Sequence, residues 1–186
     1  MSSFDSEIST EDNNTQIVIE KSDNILNNMS KILNQLISKN KNSLNYKKII
    51  RNQRNSIFSA KDPPQISILD YLNRIKYYSQ IENNTLICSL LYIDKLCTSN
   101  EIVLTELNIH RILFTAILLS LKYNEDLIYK MDYYSKIAGV SLKELKKLEF
   151  EFVSKINFEL YINEKDFENY RDYLIKWNDY FCKYNL

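Results

Sequence analysis

Between Ile112 and Leu121 the chain is apolar at nearly every position, and the run stops abruptly at Lys122. A helix without a polar face must be buried on all sides, so this segment, opened by Thr105, is predicted to be the hub of the fold. Other helices are predicted around it from stripes at helical spacing. Ile25, Leu26, Met29, Ile32, Leu33, Leu36 and Ile37 share one face, which gives an amphipathic helix over about 23–38. Ser67-Ile68-Leu69-Asp70 is a capping box, and the helix it starts turns Ile68, Leu72 and Ile75 inward before ending near Tyr78. Thr85 caps a segment from Leu86 to Leu96 that is apolar except at Ser89, Asp94 and Lys95. A shorter helix from Met131 to Ala138 runs into Gly139, the residue type best suited to a left-handed C-cap. A second capping box, Ser141-Leu142-Lys143-Glu144, leads into Leu145, Leu148, Phe152 and Ile156. Asn163 opens the last helix, with Phe167, Tyr170, Leu174, Trp177 and Phe181 facing inward. Nothing alternates like a strand, so the fold class is all-α.

Composition supports that pattern and divides the chain. A single glycine and two prolines leave little material for tight turns or sheet bulges. A length of 186 residues suits one domain with a substantial core. Residues 1–22 are polar and acidic with little to bury, and are expected to be flexible. Residues 39–64 follow the first helix as a basic linker, with Lys39, Lys41, Lys47, Lys48, Arg51 and Arg54 unbroken by an acid. A solvated linker is the plain reading; an import signal or a docking site for an acidic partner are the functional ones. Pro63-Pro64 closes the linker, and the main domain occupies 65–186.

Charge and chemistry remove several function classes. The chain has 24 basic and 24 acidic residues, so no general attraction to nucleic acid or anionic lipid is expected. The apolar runs are far shorter than the roughly 20 residues of a membrane span, and the N-terminus lacks a signal-peptide core. The three cysteines form no CxxC pair and fit a reduced, intracellular setting, in cytoplasm, nucleus or both. A phosphate-cradling loop cannot be built from one glycine, and His110 alone cannot make a triad or a multi-histidine metal site. No catalytic residue, metal, cofactor or small-molecule substrate is expected. Arg74 and Asp94 are expected to form a buried ion pair between consecutive helices, because Asp94 sits in an apolar run and an unpaired buried charge is expensive. Lys122 and Glu149 are different: a lysine and a glutamate at the edges of two core helices are better placed to grip another protein than a small molecule.

The segments ISILDYLNRI (66–75), LLYIDKL (90–96), LTELNIHRILFTAILLSLKYNED (104–126), YYSKIAGVSLKELKKLEFEF (133–152) and INFELYI (156–162) resemble a cyclin box. The LNIHR and YYSKIAGVS elements resemble the P/U-type cyclins of phosphate-responsive kinase signalling in particular. The resemblance implies a single cyclin box of about five helices around a buried central helix, with extra N-terminal and C-terminal helices. It implies a regulatory subunit, not an enzyme, that forms a heterodimer with a cyclin-dependent protein kinase and activates it. Lys122 and Glu149 match the positions that hold backbone groups at the ends of the kinase's regulatory helix. Leu119, Tyr123, Val153, Phe158 and Leu160 match the apolar pocket receiving that helix, and Glu151 matches an acidic position that pairs with a kinase arginine. Two departures stand out: Ser120-Leu121 where the family has two small residues, and Tyr123 where it has phenylalanine. Both point to a pocket tuned to a divergent kinase. The alternatives are a cyclin-fold protein of the transcription-factor kind, which would have paired boxes and a basic face, and a helical scaffold for another protein. The first helix is expected to be accessory, packing on the box or on the partner.

Overall fold

The computed structural model describes the backbone of residues 8–100 and 102–184, and side chains over 25–99 and 102–176. Eight helices occur among the described residues: α1 (Ile8–Lys41), α2 (Tyr46–Gln53), α3 (Ile68–Ser79), α4 (Asn83–Asn100), α5 (Ile109–Asn124), α6 (Met131–Ala138), α7 (Leu142–Lys155) and α8 (Glu164–Tyr184).

The hub is α5. Every residue from Ile112 to Leu121 is buried, including Thr115 and Ser120, whose hydroxyls donate to the carbonyls of Arg111 and Thr85. Buried hydroxyls need such acceptors, since an unsatisfied one costs about 1–3 kcal/mol. α5 packs on α4, α7, α3 and α6, so α3 to α7 form the five-helix box. Side-chain caps set three of the helix starts. Ser67 accepts from the Asp70 N–H, Ser141 from that of Glu144, and Asn163 from that of Asp166. Gly139 ends α6 at φ 74°, the left-handed conformation that glycine adopts without steric cost.

Two starts within the box differ from the sequence expectation. α4 begins at Asn83, two residues before Thr85, which is buried inside the helix. α5 begins after Asn108, whose side chain accepts from Thr105 N–H and donates to the Val103 carbonyl, closing a turn where the helix was expected to start.

α1 is longer than its apolar stripe. It begins at Ile8, inside the stretch expected to be flexible; residues 1–7 of that stretch lie outside the described residues. Ile25, Leu26, Met29, Leu33 and Ile37 join the same core as the box, and α1 packs on α3 and α8. Asn28 Nδ2 donates to the Leu174 carbonyl at 2.8 Å, and Asn40 Nδ2 to Leu104 at 2.9 Å. α1 is therefore part of the domain. The basic linker also carries structure: α2 lies within it, and Gln53 exchanges two hydrogen bonds with the Val103 backbone. On α8, Leu174 is fully buried, Phe167 and Tyr170 partly so, and Trp177 and Phe181 lie outside the described side chains. Among the described residues no helix is long and apolar enough to cross a membrane, and no group of three metal-ligating side chains could hold an ion.

Candidate protein-binding site

Where α5 leaves the core, its last turn meets the middle of α7. Lys122 Nζ lies 2.5 Å from Glu149 Oε1 across this seam, with both side chains mostly covered, at 29% and 21% exposure. Beside the pair is a groove of about 450 Å³ lined by Leu119, Tyr123, Val153, Phe158 and Leu160, with Lys146 and Phe150 on its rim. Tyr123, Phe150 and Phe158 are half to two-thirds exposed and gather three aromatic rings around one groove. The arrangement has apolar groups displayed and polar groups already oriented. Such a surface suits a partner's apolar face, with charges that fix its register.

The floor of the groove is held by a strained turn. After α7, Asn157 and Phe158 both adopt positive φ, 54° and 59°. Asparagine tolerates this conformation, but a bulky residue there costs on the order of 1–3 kcal/mol and persists only when its surroundings impose it. Here α4 imposes it. Tyr92 Oη donates to the Leu160 carbonyl at 2.7 Å, and Lys95 Nζ donates to the carbonyls of Glu159 and Tyr161 at 3.1 and 3.2 Å. From the other side, Phe158 N–H reaches back to the Val153 carbonyl at 2.9 Å. The result turns the Phe158 ring outward and leaves Leu160 half-buried beneath it.

The family model for cyclins matches residues 8–160, most of the chain. The chain belongs to the cyclin family. Among its relatives, Cyclin-U2-2 of Arabidopsis thaliana is 37% identical over 120 residues, covering 63% of this chain and 51% of the relative. Cyclin-U4-1 of the same plant is 32% identical over 136 residues, 73% of this chain and 67% of the relative. PHO85 cyclin-7 of Saccharomyces cerevisiae is 27% identical over 177 residues, 84% and 62% respectively. These U-type and PHO85 relatives make it a P/U-type cyclin, and it spans about half to two-thirds of their lengths.

In this cyclin the structure gathers Lys122, Glu149, Leu119, Tyr123, Val153, Phe158 and Leu160 at one place, although they come from two helices and a turn. Glu151 faces a neighbouring notch and pairs with Lys155 at 3.4 Å on its own helix. The expected Arg74–Asp94 ion pair does not form. Both residues are exposed; Arg74 donates to the Lys136 carbonyl at 2.9 Å, in the last turn of α6. Asp94 instead faces α8, where burial and then the Asp94 carboxylate push the Tyr170 hydroxyl pKa up. The reason is topological. α3 packs chiefly on α1, α6 and α5, whereas α4 packs on α5, α8 and α7, so consecutive helices do not present these charges to each other.

Sequence reasoning missed Tyr92 and Lys95 as positioning residues, and Lys146 and Phe150 on the rim. Lys95 left a signal, as a cation inside an apolar run. Tyr92 left none, since a tyrosine at core spacing reads as core.

Proposed function

We propose that this cyclin binds a cyclin-dependent protein kinase as a heterodimer and raises its activity. The observation that carries the reading is the Lys122–Glu149 pair lying at 2.5 Å beside a groove of exposed aromatic and aliphatic side chains. An amphipathic helix of the kinase would lay its apolar residues against Leu119, Tyr123, Val153, Phe158 and Leu160. Lys122 Nζ would then donate to carbonyls at that helix's C-terminal end. Glu149 would accept from its free N–H groups, the backbone groups that a helix leaves unpaired. In the free protein the two charges satisfy each other, which keeps them oriented until a partner arrives.

The cyclin would supply no reacting group. By binding one position of the kinase helix better than another, it would shift the kinase toward that arrangement, and the shift is limited to the difference in binding free energy. In kinases that helix carries the glutamate that must pair with the catalytic lysine, so its position controls phosphoryl transfer. The reading makes the protein a regulatory subunit working inside the cell. The likeness to PHO85 cyclin-7 supports a PHO85-type kinase as the partner to try first.

The test is to mix the purified cyclin with a panel of purified cyclin-dependent kinases, following complex formation by gel filtration and phosphorylation of a generic substrate. The expected result is a stable heterodimer with at least one kinase and increased turnover. No complex with any of them would end the proposal.

A further inference from the structure

Every carboxylate on α7 is already engaged. Glu144 is bridged to Arg111 at 2.6 Å, Glu149 to Lys122 at 2.5 Å and Glu151 to Lys155 at 3.4 Å. The lysines of the helix's first half are not. Lys143, Lys146 and Lys147 are all exposed, and none of them is in an ion pair among the described residues. Their spacing puts them on one face of the helix, and Phe150, 66% exposed, follows on the next turn of that face. With Ile57 from the segment after α2 they form a shallow notch of about 480 Å³. Ile57 is held there because its carbonyl accepts from Arg111, the residue bridged to Glu144. The notch therefore has a fixed apolar floor and a basic rim. Its one acid, Glu151, is tied to Lys155.

The electrostatic consequence is local. α7 and the two cations bridged to it hold six basic side chains against three acidic ones, in a chain whose net charge is zero. Uncompensated lysines around an exposed aromatic ring select for an anionic partner that can also bury an apolar group. A nucleic acid would prefer several stacking rings along a basic track, and this notch has one.

We propose that the notch is a second docking surface, for a protein segment with anionic side chains flanking a single apolar residue. The apolar residue seats between Phe150 and Ile57, while carboxylates or phosphates meet Lys143, Lys146 and Lys147. Lys146 and Phe150 also line the α5–α7 groove, so the two surfaces are contiguous and one partner could span both.

The experiment uses the full chain without any kinase, so its outcome is separate from that of the kinase proposal. Four fluorescent probes are titrated by anisotropy: a short peptide with leucine between glutamates, the same peptide with phosphoserines for glutamates, the same with lysines, and a single-stranded RNA. Either anionic peptide is expected to bind, at least about tenfold more tightly than the lysine peptide and with strong weakening at high salt. The glutamate and phosphoserine probes together show which anion is preferred. The double variant K143E/K147E should reduce the affinity about tenfold or more with its melting temperature unchanged, and Phe150→Ala should reduce it while leaving the salt dependence in place. Equal binding of the lysine peptide, tighter binding of the RNA, no detectable anionic-peptide binding, or full binding by K143E/K147E would each overturn the proposal.

Discussion

Two helix seams of this cyclin handle charge in opposite ways. At α5–α7 the charged groups pair with each other, and the apolar groups are left outside. At α4–α8 the carboxylate of Asp94 is exposed, and the chain's own terminal helices, α1 and α8, close over the apolar side of α4 around a cavity of about 610 Å³. The first seam has its charges paired and its apolar groups displayed. At the second, α1 and α8 cover part of the apolar side of α4, and Leu36 and Tyr173 stay about half exposed on the cavity lining. A charge in an apolar run is therefore no guide to its partner until the neighbouring helix is known. Lys122 and Glu149 meet because α5 must be buried by α7, whereas Arg74 and Asp94, expected to pair because a buried Asp94 would need a partner, lie on helices that pack chiefly against different neighbours.

If α1 belongs to that cover, weakening it should cost as much as a mutation in the hub. Met29 is fully buried between α1 and the box. Met29→Ala should lose about 2–5 kcal/mol in chemical denaturation. A loss under about 0.5 kcal/mol, the usual effect of a surface change, would make α1 the accessory helix expected from sequence.

The strained turn sharpens the comparison from the groove side. Lys95→Met removes two hydrogen bonds to the Glu159 and Tyr161 carbonyls, and should cost about 1 kcal/mol of stability. Its larger signature should be faster amide exchange at 157–161 than elsewhere, with weaker binding of the kinase. Uniform acceleration across the domain would show that Lys95 supports the fold at large and not the turn.

Arg74→Ala and Asp94→Ala should each change stability by less than about 1 kcal/mol, because both groups are exposed. Breaking a buried pair would instead cost about 3–5 kcal/mol. A thermal melt of either variant showing that larger loss would restore the ion pair.

The smallest effect concerns pH. The His110 ring packs at a tilt against Tyr71, its Nε2–H donates to the Ile66 carbonyl at 2.9 Å, and Nδ1 is buried without a partner. Burial lowers its pKa from the ordinary 6.5, although the bond to Ile66 works the other way. The unfolded chain then takes up a proton before the folded one. Stability attributable to His110 is present above about pH 6.5 and falls as the pH drops through that value toward the folded pKa. The acid-side loss in melting temperature should be smaller in His110→Gln than in wild type. Identical pH profiles would remove His110 from that loss.

Much of this architecture is legible in the sequence. The unbroken apolar run of α5, the two serine caps and the single glycine each act within a few residues, so local chemistry was enough to place them. The groove was legible too, through the resemblance of its segments to a cyclin box. What sequence could not supply was azimuth, the direction each helix face takes relative to helices far along the chain. That is why Asp94 was assigned the wrong neighbour. It is also why the hydrogen bonds from Tyr92 and Lys95 to a turn more than sixty residues away went unseen. The onset of α1 at Ile8 escaped for another reason: a polar stretch gives no periodic signal even where the backbone is helical.

The α5–α7 seam as a kinase-binding surface is tested most directly by a double-mutant cycle on the dissociation constant of the cyclin–kinase complex. Lys122→Ala and Glu149→Ala, each verified to melt like wild type, should weaken binding by roughly 2–5 kcal/mol apiece, as when one partner of a desolvated polar contact is lost. Because the two residues touch each other, the double variant should lose less than the sum of the singles. Unchanged affinity in both single variants, with the fold intact, would contradict the seam as the binding site.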